Sequence, residues 1–77
     1  MEKEISWQAI SHDDFMAKSE CGNYMLRAEQ MDKRRWWWAV YFKDNEIGGS
    51  NFTTVVSTTE NQAKRAAEAC YMEHKNK

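Results

Sequence analysis

The sequence predicts an α+β fold: an antiparallel sheet of three to four strands in meander order, packed on one C-terminal α-helix. Three observations carry this. Trp36-Trp37-Trp38-Ala39-Val40-Tyr41-Phe42 is an aromatic and β-branched run between polar stretches, as a strand requires. Ala63, Ala66, Ala67, Cys70, Tyr71 and His74 recur at three- and four-residue intervals, as on one stripe of a helix. At 77 residues the chain has room for one domain, which buries only about 60% of its unfolded surface.

Residues 1–22 read as an irregular N-terminal segment or edge strand. Ser11 and Asp14 have a capping-box spacing that would open a short helix through Phe15, Met16 and Ala17 and close it at Gly22. Trp7, Ile10 and Phe15 suit an edge strand or loop, and that reading is preferred. Residues 23–54 form the meander. Residues 23–31 alternate Tyr24, Leu26 and Ala28 on one face against Arg27 and Glu29 on the other, and residues 32–35 make the turn. Within the Trp strand, Trp36, Trp38, Val40 and Phe42 face one way and Trp37, Ala39 and Tyr41 the other. Residues 43–46 form a second turn, and 47–53 a third strand whose Gly48 and Gly49 suggest a bulge or bend.

The helix spans residues 58–75, with Ser57 and Glu60, or equally Thr59 and Gln62, spaced to cap its start. Its alanine stripe is too small to fill a core alone, so it must meet bulk, which the Trp36, Trp38, Val40, Phe42 face supplies. Seven strand residues at ~3.3 Å and sixteen helical residues at ~1.5 Å both span roughly 23–24 Å, so the two match in length.

Composition excludes several classes. Eleven Lys and Arg against twelve Asp and Glu leave a net charge of −1, unlike a domain that coats nucleic acid by bulk charge. With four Trp, three Tyr, three Phe and no Pro, the chain is not a disordered linker. No apolar run approaches the ~20 residues of a membrane span, so no membrane association is expected. No secretory signal pattern is visible and a cytoplasmic location is expected. There Cys21 and Cys70 would stay thiols.

The residue types for a nucleophilic triad exist in Cys21 or Cys70, His12 or His74, and Asp13 or Asp14, but no spacing gathers them. A sheet with one helix rarely offers a catalytic cavity. The expectation is a protein without enzymatic activity. Cys70 and His74, four apart, share a helix face and with Cys21 and His12 would make a zinc-type set, yet no tight C-x2-C pair is present. A buried thiol and a helix-end histidine suited to the C-terminal dipole is the favoured reading. The run His12-Asp13-Asp14 is read as loop or helix-start chemistry. No cofactor and no metal are expected.

Binding is the expected function. If the helix covers one sheet face, Trp37 and Tyr41 on the other need a cover, and exposed Trp and Tyr dominate binding hot spots and stack on bases. One cover is a second small core under the N-terminal segment, made by Ile5, Trp7, Ile10 and Phe15; others are a partner or a second copy. Residues 33–43 hold four basic and no acidic side chains, and Lys33, Arg34 and Arg35 form a basic turn. The expected binding residues are Trp37, Tyr41, Arg27, Lys33, Arg34 and Arg35. A protein partner is the first expectation, nucleic acid the second and a homo-oligomer a third.

Three resemblances extend this. Gln62-Ala63-Lys64-Arg65-Ala66-Ala67 resembles the last helix of double-stranded RNA-binding domains, with Glu60 and Asn61 where that family has a lysine pair. Three strands followed by a helix are similar to AP2-type and integrase arm-binding domains; that resemblance implies DNA contacts by Arg27, Arg34, Arg35 and Trp37. Residues Trp7 to Phe15, Tyr24-Met25-Leu26, Trp38 to Phe42, Ile47-Gly48, Phe52 and Ala63 to Glu68 together resemble small accessory proteins carried by phages and prophages. That resemblance implies a non-enzymatic binder of host proteins or nucleic acid.

Overall fold

A computed structural model describes residues 5–19, 22–50 and 57–76. These residues form a five-stranded antiparallel meander, β1 (Ile5–Ser11), β2 (Asp14–Ser19), β3 (Tyr24–Asp32), β4 (Arg35–Phe42) and β5 (Asn45–Gly49), followed by α1 (Glu60–Lys75). The α+β class and the single backing helix are as the sequence predicts, with more strands.

The additional strands come from the N-terminal segment. Phe15, Ala17 and Ser19 alternate with Asp14, Met16 and Lys18, and β1 pairs antiparallel with β2 from Ile5 opposite Ser19 to Ala9 opposite Phe15. The Ser11–Asp14 spacing that could open a helix instead bounds the β1–β2 turn, where the Ser11 hydroxyl donates to Asp13 at 2.9 Å. The β2–β3 connection is closed by Gly22, at φ +78°, whose N–H donates to the Ser19 carbonyl. Ser19 also takes the Tyr24 N–H on its hydroxyl at 3.2 Å.

Two tighter turns follow. At β3–β4, Asp32 accepts the Arg34 N–H at 3.1 Å and the Arg35 Nε–H at 2.7 Å. At β4–β5, Phe42 pairs with Asn45 across only Lys43 and Asp44, both at positive φ (50° and 69°). A two-residue hairpin needs that twist, and neither residue is glycine. The register slips between Val40 and Tyr41, where Gly48 and Glu46 are their partners and Ile47 is the extra residue. The bulge therefore sits beside the glycines, which serve close approach: a Cβ on Gly48 would overlap the Cys70 Sγ of α1. The third strand ends at Gly49, and the part predicted over 51–53 lies outside the described residues.

β5 borders only the second half of β4. Along the first half, Trp36 donates its N–H to the Ser57 carbonyl at 2.9 Å and Trp38 its N–H to the Ser50 hydroxyl at 3.0 Å. Thr59 caps α1 by accepting the Gln62 N–H at 3.2 Å, and the Gln62 side chain reaches back to the Thr58 N–H and hydroxyl.

α1 lies across β3 and β4 and touches β5. Ala63, Ala67 and Tyr71 are buried against Tyr24, Leu26, Ala28, Trp38 and Val40, with Trp36, Phe42, Ala66 and Cys70 at the margin. The small helix face thus meets the aromatic strand face, as their sizes require. At the helix C-terminus, Tyr24 stacks edge-on against Tyr71, and its hydroxyl is hydrogen-bonded to His74 Nδ1 at 2.7 Å.

Candidate functional site

Strand alternation and register arrange the face opposite α1 in three cross-strand rows. Lys18, Met25, Tyr41 and Glu46 form one, Met16, Arg27, Ala39 and Gly49 the next, and Asp14, Glu29 and Trp37 the third. Trp37 and Tyr41, four residues apart on β4, stand ~13 Å apart along the strand. Both are half-buried by neighbouring side chains, and among the described residues no element lies over them. Ala39 between them is fully buried, so the face is a shallow saddle with an aromatic at each end.

The second core, one of the alternative covers, is not formed under the N-terminal segment. β1 and β2 widen the sheet instead of folding over it, and Ile5, Trp7 and Phe15 lie on the helix side. Trp7 donates its indole N–H to Glu68 at 2.7 Å, and the Lys64 ammonium sits 4.0 Å above the Phe15 ring. Ile10 does not join a core; it is 54% exposed at the β1 irregularity. Met31, 61% exposed, lies at the matching irregularity of β3, toward the Trp37 end of the sheet.

The expected binding residues are only partly gathered. Trp37, Tyr41 and Arg27 share the open face. Arg27 is committed within it: its guanidinium donates to both Asp14 carboxylate oxygens at 3.0 Å. Its buried Nε has no hydrogen-bond partner among the described residues. Lys33, Arg34 and Arg35 are exposed at the β3–β4 turn, on the rim at the Trp37 end. Arg35 is tied to Asp32, whose carboxyl is held below its ordinary value by the Arg34 amide first and the Arg35 side chain second. Lys33 and Arg34 form no ion pair among the described residues.

Met16 and Met25 also belong to this face and were not anticipated. Met16 lies in the segment whose period was ambiguous; the alternation of Phe15 and Ala17 with Met16 and Lys18 is the signal that could have placed it. Methionine adapts to varied partner shapes and is common on binding surfaces.

The electrostatics of the face are mixed, with Lys18 and Arg27 against Asp14, Glu29 and Glu46. Two cations against three carboxylates do not suit a phosphate backbone, which is held by clustered positive charge.

The chemistry-bearing types are dispersed. His12, in the β1–β2 turn, lies 3.8 Å from the Asp13 carboxylate, whereas His74 is against Tyr24 and Phe42 at the opposite end of the sheet. Cys70 packs beside Gly48, and Cys21 lies outside the described residues. Among the described residues no three His, Cys, Asp or Glu gather as a metal site, and no helix is long and apolar enough to cross a membrane. Comparison of the chain with protein-family models, with curated proteins and with solved structures returns no match.

Proposed function

We propose that the chain is a non-enzymatic binding protein that recognises a protein partner through its open sheet face, an accessory factor of the kind phages and prophages carry. Trp37 and Tyr41 would anchor the contact, Met16 and Met25 would adapt to the partner, and Lys33 and Arg34 would line the rim. The observation that supports this is the saddle itself. Two aromatics flank a buried Ala39, and among the described residues no element of the chain lies over them. Desolvated aromatic anchors ringed by polar groups are the usual source of interface energy. The mixed charge favours a protein over nucleic acid.

An affinity pull-down from host lysate with wild type, Trp37→Ala and Arg34→Ala tests the proposal. Capture of a protein that is lost with Trp37→Ala and little changed by Arg34→Ala supports it. Recovery of nucleic acid that falls steeply with salt, or capture indifferent to Trp37, argues against it.

A further inference from the structure

The chain has a second surface, on its edge. β1 is an outermost strand, and among the described residues nothing pairs with its outer side. Proteins commonly blunt such edges with charge, Pro or a bulge, because a row of unpaired amides and carbonyls is a template for another strand. Ile5–Ser11 contains no charged residue and no Pro, and its one irregularity falls between Ala9 and Ser11, leaving Ile5 to Ala9 regular. The opposite outer strand is protected differently: β5 carries Glu46 and a bulge at Ile47.

Beside the β1 edge, on the helix side, runs a groove of about 630 Å³. It lies between β1 and α1, whose backbone packs on β3 and β4 and which reaches β1 through the long side chains of Lys64 and Glu68 over Trp7. Ile5 and Trp7 form its floor, and Asn61, Lys64, Arg65 and Glu68 its helical wall. Two of those charges are already engaged, Glu68 by the Trp7 indole and Lys64 by Glu60 at 2.6 Å. Arg65 is exposed and has no ion pair among the described residues.

We infer that the β1 edge receives an extended segment of another protein as a sixth strand. Its backbone pairs with Ile5 to Ala9, alternate apolar side chains enter the groove over Ile5 and Trp7, and a carboxylate reaches Arg65. Main-chain pairing supplies affinity in this mode and the pockets beside the edge supply specificity. A second copy is the poorer occupant: two β1 strands paired about a two-fold axis would set two grooves side by side without filling either, and β1 itself offers no carboxylate. This site is separate from the open face, and a ligand held at Trp37 and Tyr41 would perturb different amides.

The probe is a random heptapeptide library on beads, screened against the full chain, with enriched peptides titrated into isotope-labelled protein. The expected winners alternate apolar with polar residues and include a carboxylate. They should slow hydrogen exchange and shift amide resonances in residues 5–9 and along the helix from Asn61 to Glu68. Arg65→Glu, at an exposed helix position, should keep the fold by circular dichroism and weaken binding by about tenfold or more, the scale of one charge-assisted contact. The inference is overturned if no peptide is enriched over bare beads, if winners perturb Trp37 and Tyr41 instead, or if Arg65→Glu binds equally well. Protection of β1 that grows with protein concentration alone would also overturn it, by naming a second copy as the occupant.

Discussion

Trp37 and Trp38 are consecutive in sequence and opposite in role, so truncating each in turn separates the core from the surface. Trp38 is 8% exposed, under α1, while Trp37 is half-buried on the open face. A Trp side chain carries ~200 Å² of largely apolar surface, which at ~25 cal/mol per Å² is worth roughly 5 kcal/mol fully buried and about 3–4 kcal/mol where, as at Trp37, most but not all of it is covered. Both figures are upper values, because the unfolded chain already hides part of that area. Trp38→Ala also leaves a cavity, and core Trp→Ala changes cost about 3–5 kcal/mol. A 77-residue domain has only about 4–12 kcal/mol to lose. Trp38→Ala should therefore bring the chain close to unfolding at 25 °C, whereas Trp37→Ala, which opens no cavity under α1, should leave it folded, the two differing by about 1 kcal/mol or more. Urea titration followed by far-UV circular dichroism reads this without relying on the fluorescence of the deleted residue. With an m-value of about 1 kcal/mol/M, the midpoints should differ by about 1 M or more. Equal midpoints, or a larger loss for Trp37→Ala, would refute the assignment of the two faces.

Three further outcomes follow from local geometry. Gly48→Ala should cost about 1–3 kcal/mol by forcing its new methyl into Cys70 Sγ, and the double variant with Cys70→Ala should recover much of it; additive costs in a urea-melt cycle would contradict the β5–α1 contact. Asp44→Gly should stabilise by about 0.5–1 kcal/mol, since Asp44 holds φ 69° in a turn that favours glycine, and a lower thermal midpoint would refute that reading. Asp32 has a lowered folded-state pKa, so its contribution to stability is present above its unfolded value of 3.8 and lost as pH falls through the lower folded value. Thermal melts of Asp32→Asn should lack that part of the acid dependence, and an unchanged pH profile would show that the turn does not draw on the carboxylate.

How much of this was legible in the sequence depended on the strength of local pattern. The helix and the Trp strand were readable because the alanine stripe and the aromatic run each follow a single period without interruption. Thr59 and Ser57 were equivalent cap candidates in sequence; the structure selects Thr59, because Ser57 is drawn into a bridge with Trp36. The N-terminal hairpin was harder, since Asp14–Ser19 alternates over only six residues and Ser11–Asp14 imitates a helix start. Its consequence, that Trp7 and Phe15 face the helix, depends on the 61-residue separation between Trp7 and Glu68, which no local pattern encodes. The candidate face was legible as Trp37 and Tyr41. Arg27 was identified as a contact residue, but its pairing with Asp14 is set by β2–β3 register.

The saddle around Trp37 is the surface through which we propose that this protein binds. Its most direct test is the affinity of the captured partner, once purified, for wild type and Trp37→Ala by titration calorimetry at about 50 and about 300 mM salt. Trp37→Ala should bind about thirtyfold or more weaker, as for a hot-spot aromatic, with little change between the two salt concentrations. Undiminished affinity in Trp37→Ala, or a fall of about a thousandfold with salt, would contradict the proposal.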